Sequence, residues 1–595
     1  MSNNQLRSSQ IVTTFGPGAM VDLPDASVIV AGLDHWAFNR IAIPIVHEPR
    51  LEAKLKKLLQ VPELSLRTPP PANDQHTGFE PYISAWRFPE WFMVQKTETV
   101  NGYRRRRLVH LDKLDGGKYR DIDRQKYPVV PVRFVRACRR GHVGDIDWIA
   151  FVHGSHLGCP RDLWIEERGT SGDLSEVRIA CDCGKERPLT QAARLELRAL
   201  GSCNGSRPWL GARTREACGE ANRLLIRSAS NAYFPQIMSV ISIPDSHSPI
   251  DAIVRELWGD FLSDVESLQD LQRCKKKPTP ASRLDGLDDN EIMKSIARVR
   301  GGSDENDIPV KEVEFLALSE AREELGNDAP DGDFFARAMR QQDWEAPHME
   351  SIDRIVLVHR LREVSAQIGF TRFEAAGPDI EGELSIQVER ATLALDSPWL
   401  PALENRGEGI FIKFKNEYID RWIRREAVSN RGRVLLEGFK IWRDDHQGSN
   451  RDFPGLAYFL LHSFSHLLLA AISLECGYPA SSLRERVYAF RGDYGVLIYT
   501  GSSDSEGTLG GLILAGREIR RHVQRALEMG MLCSNDPVCA FHLPTRHDPQ
   551  QLLGSACHGC LLISETSCEQ RNEFLDRALV IPTMEQTGTE FFSGV

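Results

Sequence analysis

The cysteines constrain this chain more than any other feature. Of thirteen in 595 residues, six lie between positions 138 and 218 and five between 533 and 568. The opening "MSNNQLRSSQIVTTFGPGAM" has no charged start leading into an apolar stretch, so no secretory signal is expected and the cytoplasm is the expected compartment. In a reducing cytosol, clustered thiols favour metal ligation over disulfides, and an odd total does not suit a fully paired framework.

The tail stretch "GSACHGCLLISETSCEQRNEFLDR" holds Cys557-x-x-Cys560, a knuckle spacing in which both thiolates can reach one tetrahedral ion. Cys568 is the expected third ligand. Cys533 or Cys539, from "MLCSNDPVCAFH", closes the set, with Cys533 preferred and with His542 and His558 as weaker candidates. A redox role is disfavoured because no thioredoxin-like βαβ pattern surrounds the pair. Upstream, Cys181, Cys183, Cys203 and Cys218 resemble a zinc ribbon. Cys138 and Cys159, with His142, His153 and His156 between them, form a further site or exchange places with members of those four. Zinc is the expected cofactor.

A chain of this length exceeds one hydrophobic core and suggests about three or four domains. Punctuation by Pro, Gly and charged stretches places them at 1–130 (β-rich), 131–245 (cysteine-rich, zinc-ribbon-like), 246–350 (mostly helical linker) and 351–595 (mixed α/β with the tail zinc site). The fold class expected is α+β. Gly16-Pro17-Gly18 reads as a tight turn. The run from Leu456 to Leu474 has no Asp, Glu, Lys or Arg and is nearly long enough to cross a bilayer. It carries two histidines and three serines and stands alone, so a buried core helix is expected and no membrane partner.

Apolar residues make up 41% and charged ones 26%, with a net charge of −10. This excludes a uniformly basic nucleic-acid binder but leaves room for a local basic groove. Candidate phosphate contacts are Arg104, Arg105, Arg106 and Arg107 of "YRRRRL" and Arg139 and Arg140 of "RACRRGH". His462 and His466 share one helical face at a spacing that can hold a metal, so a metal-dependent hydrolase or nuclease is the alternative function. Ser463, however, stands where a zinc protease would carry its glutamate. "DGGKYR" lacks the upstream glycine and the following Ser or Thr of a phosphate-binding loop, so no ATP-driven motor is expected in this chain.

With these motifs in hand, "GTLGGL", "CSNDPVC" and "GSACHGCLLISETSCEQRNEFLDR" resemble the C-terminal domain shared by MrfA-like DNA-repair helicases and the DrmB family of the DISARM anti-phage system. "LRSSQIVTTFGPGAMVDLPDASVIVAGLDHW", "VRFVRACRRGHVGDIDW" and "ASNAYFPQIMSVISIP" resemble the DrmB family in particular. The resemblance implies that 351–595 is an MrfA-like zinc-binding domain, with four tail cysteines on one metal: Cys557, Cys560, Cys568 and one of Cys533 or Cys539. It also implies a non-catalytic subunit that partners a superfamily-two helicase of DrmA type and engages phage DNA, directly or through that helicase. A repair role beside a helicase in trans is the other alternative.

Overall fold

β-branched and aromatic residues build two large, mainly antiparallel sheets, one within the N-terminal half and one centred on the C-terminal half. The computed structural model describes residues 6–592 except for short stretches, of which 71–80, 245–252, 297–307 and 502–509 are the longest. In the N-terminal half, β1 (Trp91–Val100) and β2 (Tyr103–His110) form a hairpin. Gly102, at φ +83°, supplies the positive φ that a two-residue hairpin loop requires. β3 (Phe134–Ala137), α1 (Trp148–His153), β4 (Leu163–Glu167) and β5 (Val177–Cys181) follow. The sheet order is Val129–Pro131, β1, β2, β4, β5 and Glu186–Pro188. β3 leaves that sheet and pairs instead with Val143–Gly144 and Arg223–Ile226. Phe134, Trp148, Phe151, Ile165 and Ile179 fill the core beneath.

The second sheet is larger. β6 (Phe234–Ser242) pairs with β7 (Ile352–Thr371), a strand of 20 residues, which pairs on its other edge with β8 (Trp399–Phe414). The second half of β7 has a mixed pattern because it buries charge. Arg362 meets Glu48 and Glu404, and Glu363 meets Arg484 and Tyr499, so neither charge is left unpaired. Two helices come next, α2 (Glu426–Asp445) and α3 (Leu456–Ser473), then the hairpin β9 (Leu483–Phe490) and β10 (Asp493–Thr500), and α4 (Ile519–Gly530). Ser65–Arg67 joins β8 in parallel, and Glu324–Gly326 with Phe335–Ala338 extends the sheet beside β7. The sheet therefore takes strands from all four stretches that the punctuation of the sequence separates.

α3 is the expected core helix. Gly455, at φ +84°, turns the chain into it, and Gly477, at φ +78°, follows its end. It is the one helix among the described residues long and apolar enough to cross a bilayer, and it is instead packed between α4 and the face of β9 and β10. Leu461, Phe464, Leu468 and Ile472 are all shielded from solvent there. Each such burial contributes about 1.5–3 kcal/mol. The architecture is α+β, as the composition of the elements suggests.

The two halves meet at Arg372, a wholly buried arginine just after β7. Its guanidinium donates to the carbonyls of Gly18, Gly141 and Ala232. Gly18 closes the Gly-Pro-Gly turn at φ +85°, and a Cβ there would stand 2.4 Å from the ring of Phe370. That turn is a packing element.

Candidate metal centres

Four groups of Cys, His and Glu side chains converge among the described residues, each with its ligand atoms all within 4.8 Å of one another. Three are cysteine-rich. A tetrahedral ion with Zn–S bonds of about 2.3 Å sets its sulfurs about 3.8 Å apart, and this is the scale on which the three can be tested.

The tail cluster is Cys533, Cys539, Cys557 and Cys560. Its Sγ–Sγ separations are 3.4 Å for Cys533–Cys557, 3.7 Å for Cys539–Cys560 and 3.7 Å for Cys557–Cys560. Both upstream cysteines take part, so the choice between Cys533 and Cys539 dissolves. Cys568 is not brought to them and stands instead with His462, His466 and Glu485. Asn572 grips Ile563 through both its backbone groups, at 2.9 and 2.8 Å, and this turn carries Cys568 inward towards α3.

The upstream cysteines also regroup. Cys181 and Cys183 assemble with His153 and Cys159, whereas Cys203 and Cys218 assemble with Cys138 and His142. The single ribbon expected from Cys181, Cys183, Cys203 and Cys218 is thus divided in two. The physical reason is the departure of β3 from the first sheet. Its end delivers Cys138 and the turn to His142 against the 203–218 loop, while α1 delivers His153 to the end of β5. Cys159 Sγ lies 3.7 Å from Cys181 Sγ, and His153 Nε2 lies 3.3 Å from Cys183 Sγ. In the other group, Cys138 Sγ is 4.0 Å from Cys218 Sγ and 3.3 Å from His142 Nδ1. His156 lies outside the described residues.

The surroundings suit thiolates. In each cluster a backbone N–H two residues on points at a sulfur: Asn535 to Cys533 at 3.4 Å, Gly559 to Cys557 at 3.3 Å, Cys183 to Cys181 at 3.5 Å and Gly205 to Cys203 at 3.3 Å. Hydrogen bonds to the charged form favour it. One thiol per cluster is held low. The thiol of Cys138 draws Cys203 down to about 4, against the cost of burial and with help from His142. The Lys185 backbone and His153 draw Cys183 down to about 6. Burial works to raise Cys557, but the Asn535 side chain and Cys533 bring it to about 7. The histidines are oriented too: His142 turns its Nε2 to Glu216 at 2.7 Å, and His153 donates Nδ1–H to the carbonyl of Ile149 at 3.0 Å. Outer partners of this kind fix which ring nitrogen is left for a metal.

The fourth group, His462, His466, Glu485 and Cys568, is wholly buried. Burial by itself would raise the Glu485 carboxyl and lower the His462 imidazole. Their mutual attraction reverses both, leaving Glu485 well below and His462 above the ordinary range.

The arginine run lies on β2, where register places acids opposite it. Arg105 pairs with Glu98 and Asp182, Arg106 with Glu167, and Arg107 with Asp162. The guanidiniums of Arg105 and Arg107 also cover Trp164, at 3.8 and 4.9 Å from its ring. Arg139 pairs with Glu374, and Arg140 with Glu216 and Glu389. Arg104 is exposed at the end of the strand.

Comparison with known proteins fits this geometry. Residues 464–561 match the MrfA Zn-binding domain, a span that contains all four cysteines of the tail cluster. Residues 7–234 match a domain of unknown function, DUF8724, which spans both N-terminal clusters. The DISARM protein DrmB of Bacillus paralicheniformis is 32% identical over 506 residues, covering 82% of this chain and 87% of that relative. The domain match and the donor sets together make zinc the cofactor.

Proposed function

The chain belongs to the DrmB family of DISARM proteins, and on that premise we propose that it is a non-catalytic, zinc-stapled subunit of an anti-phage defence complex. It works in the cytoplasm, partners a superfamily-two helicase of DrmA type, and engages phage DNA with that helicase, which supplies the ATP hydrolysis. Cys533, Cys539, Cys557 and Cys560 hold one zinc. Cys138, His142, Cys203 and Cys218 hold a second, and His153, Cys159, Cys181 and Cys183 a third. Metal binding supplies folding energy where the local core is small.

The observation that carries the helicase contact is the apolar rim of the tail cluster. Leu532, Val538, Phe541 and Leu543 flank its cysteines with 75%, 77%, 53% and 51% of their surface exposed. Clustered exposed apolar side chains on a rigid mount mark an interaction surface. Co-purification with a DrmA-type helicase from the same host tests this. A stable complex is expected, disrupted by Val538→Glu with Phe541→Glu while zinc content is unchanged. A helicase that ignores the unaltered chain sinks the proposal.

Direct DNA contact falls to Arg104 through Arg107, Arg139 and Arg140. Five of these six have acidic partners in the chain, so phosphates compete with carboxylates and the contact is weak and salt-sensitive. Replacing all six with Ala is expected to flatten the salt dependence of binding by the complex. An unchanged slope assigns the DNA to the helicase alone. The nuclease alternative at His462 and His466 meets a geometric objection: both rings are at most 1% exposed, whereas a hydrolytic metal keeps an open position for water.

A further inference from the structure

His462 and His466 stand one turn apart on α3, and their rings meet nearly edge to face at 4.6 Å. Each has its Nδ1 on a backbone carbonyl, His462 on Phe574 at 3.3 Å and His466 on Leu561 at 2.8 Å. In the neutral ring that bond takes the one N–H and leaves Nε2 with a lone pair. Both Nε2 atoms point at the same carboxylate oxygen, Glu485 Oε1, at 2.8 and 3.1 Å. Cys568 Sγ lies 3.1 Å from His462 Nε2 and accepts the N–H of Asn572 at 3.1 Å. The other oxygen, Oε2, is engaged by the hydroxyl of Ser465. Two lone pairs, a carboxylate oxygen and a sulfur thus face one point, with both Nδ1 atoms and Oε2 already bonded elsewhere.

With both rings neutral, electron-rich donors gather at one point in a closed core, and a carboxylate with a thiolate would carry two negative charges, which one divalent ion neutralises; burying an unbalanced charge is costly. Nitrogen, oxygen and sulfur donors together suit an ion of borderline softness. An ion with bonds of about 2.0–2.3 Å needs the donors only a few tenths of an ångström further apart than they stand.

We propose that His462 Nε2, His466 Nε2, Glu485 Oε1 and Cys568 Sγ form a fourth, mononuclear metal site for zinc, closed to solvent and structural in purpose. It joins α3, β9 and the tail loop at one point, one residue from the Cys560 ligand through the Leu561 carbonyl. The MrfA-type match at 464–561 leaves out two of its ligands, His462 and Cys568. The site does not depend on the helicase proposal.

Crystals of the unaltered full chain, measured just above and just below the zinc absorption edge, test it. A difference peak amid the four ligand atoms is expected, with the tail Cys533–Cys560 cluster as the internal control. Metal analysis should give four zinc ions per chain, and three for Cys568→Ser. A peak at the control cluster with none at this site overturns the proposal and leaves a proton-filled network of imidazolium, carboxylate and thiol. A peak that appears only at another metal's edge overturns it equally. The map on the unaltered chain decides even where Cys568→Ser fails to fold.

Discussion

Arg431 Nε lies 2.6 Å from Asp576 Oδ2, and the two side chains are 2% and 0% exposed. Arg431 comes from α2 and Asp576 from the tail, 145 positions later. The same carboxylate accepts the backbone N–H groups of Ser555 and Ala578 at 3.0 and 3.1 Å, so it holds the segment before Cys557 and the segment after Cys568 together. Removing one partner strands the other charge in the core, which costs about 3–5 kcal/mol. Arg431→Ala and Asp576→Ala should each destabilise the chain by that amount in urea unfolding. The double variant should lose less than the two losses added.

Zinc removal should be graded. Cys560→Ser is expected to release one ion, measured with a chromophoric chelator, and to leave the N-terminal clusters loaded, because they share no residue with the tail set. Lowering the pH should release all cysteine-bound zinc, since each thiolate must take up a proton to let go.

Gly205 is irreplaceable for a local reason. It sits at φ +67°, and a Cβ would stand 1.7 Å from the carbonyl oxygen of Glu216. Both residues lie inside the Cys203–Cys218 loop, and Glu216 is the carboxylate that orients His142. Gly205→Ala should lose one zinc per chain with no ligand altered. Retention of full zinc content would show that the loop gives way without disturbing its ligands.

Asp145 provides a pH signature. Burial pushes its carboxyl up to about 6, against hydrogen bonds from the Glu90 backbone. Because the folded state holds the proton more tightly than the unfolded chain, ionisation costs stability. The penalty is full above pH 6 and is relieved as pH falls towards 4, with a ceiling of about 2–3 kcal/mol. Asp145→Asn should be more stable than the parent at pH 7.5, with the gap closing by pH 4.5. A constant gap across that range would remove the assignment.

The core helix was legible because the run from Leu456 to Leu474 has no Asp, Glu, Lys or Arg yet holds two histidines and three serines, which suits a buried helix better than a bilayer span. The Cys557–Cys560 knuckle was legible because two-residue spacing acts locally. The partition of the other cysteines was not. Which of Cys138, Cys159, Cys181 and Cys203 share an ion depends on β3 changing sheets, and no spacing along the chain reports that. Cys568 misled for the opposite reason: its nearness in sequence to Cys560 is undone by one Asn572 turn. The signal that could have moved it was the histidine pair on α3, which lacked ligands of its own. The arginine run reads as a basic patch until register is known, because Glu98, Asp162, Glu167 and Asp182 are spread over 85 positions of chain. A strand shows its neighbours only when its pairing is fixed.

The second sheet sets a schedule for synthesis. Ser65–Arg67 pairs with Trp399–Pro401, and β6 with β7, so early strands wait for late partners. At about 5–20 residues per second, the roughly 330 residues between Ser65 and Trp399 take roughly a quarter of a minute to a minute to emerge. During that interval the strand edges awaiting β7 and β8 are open to any other chain. The N-terminal zinc clusters, which close within residues 138–218, can be complete well before then. They give the nascent chain a folded segment while its largest sheet is still unfinished. A truncation anywhere between β6 and β8 makes that waiting state permanent, and such fragments should be recovered as aggregates.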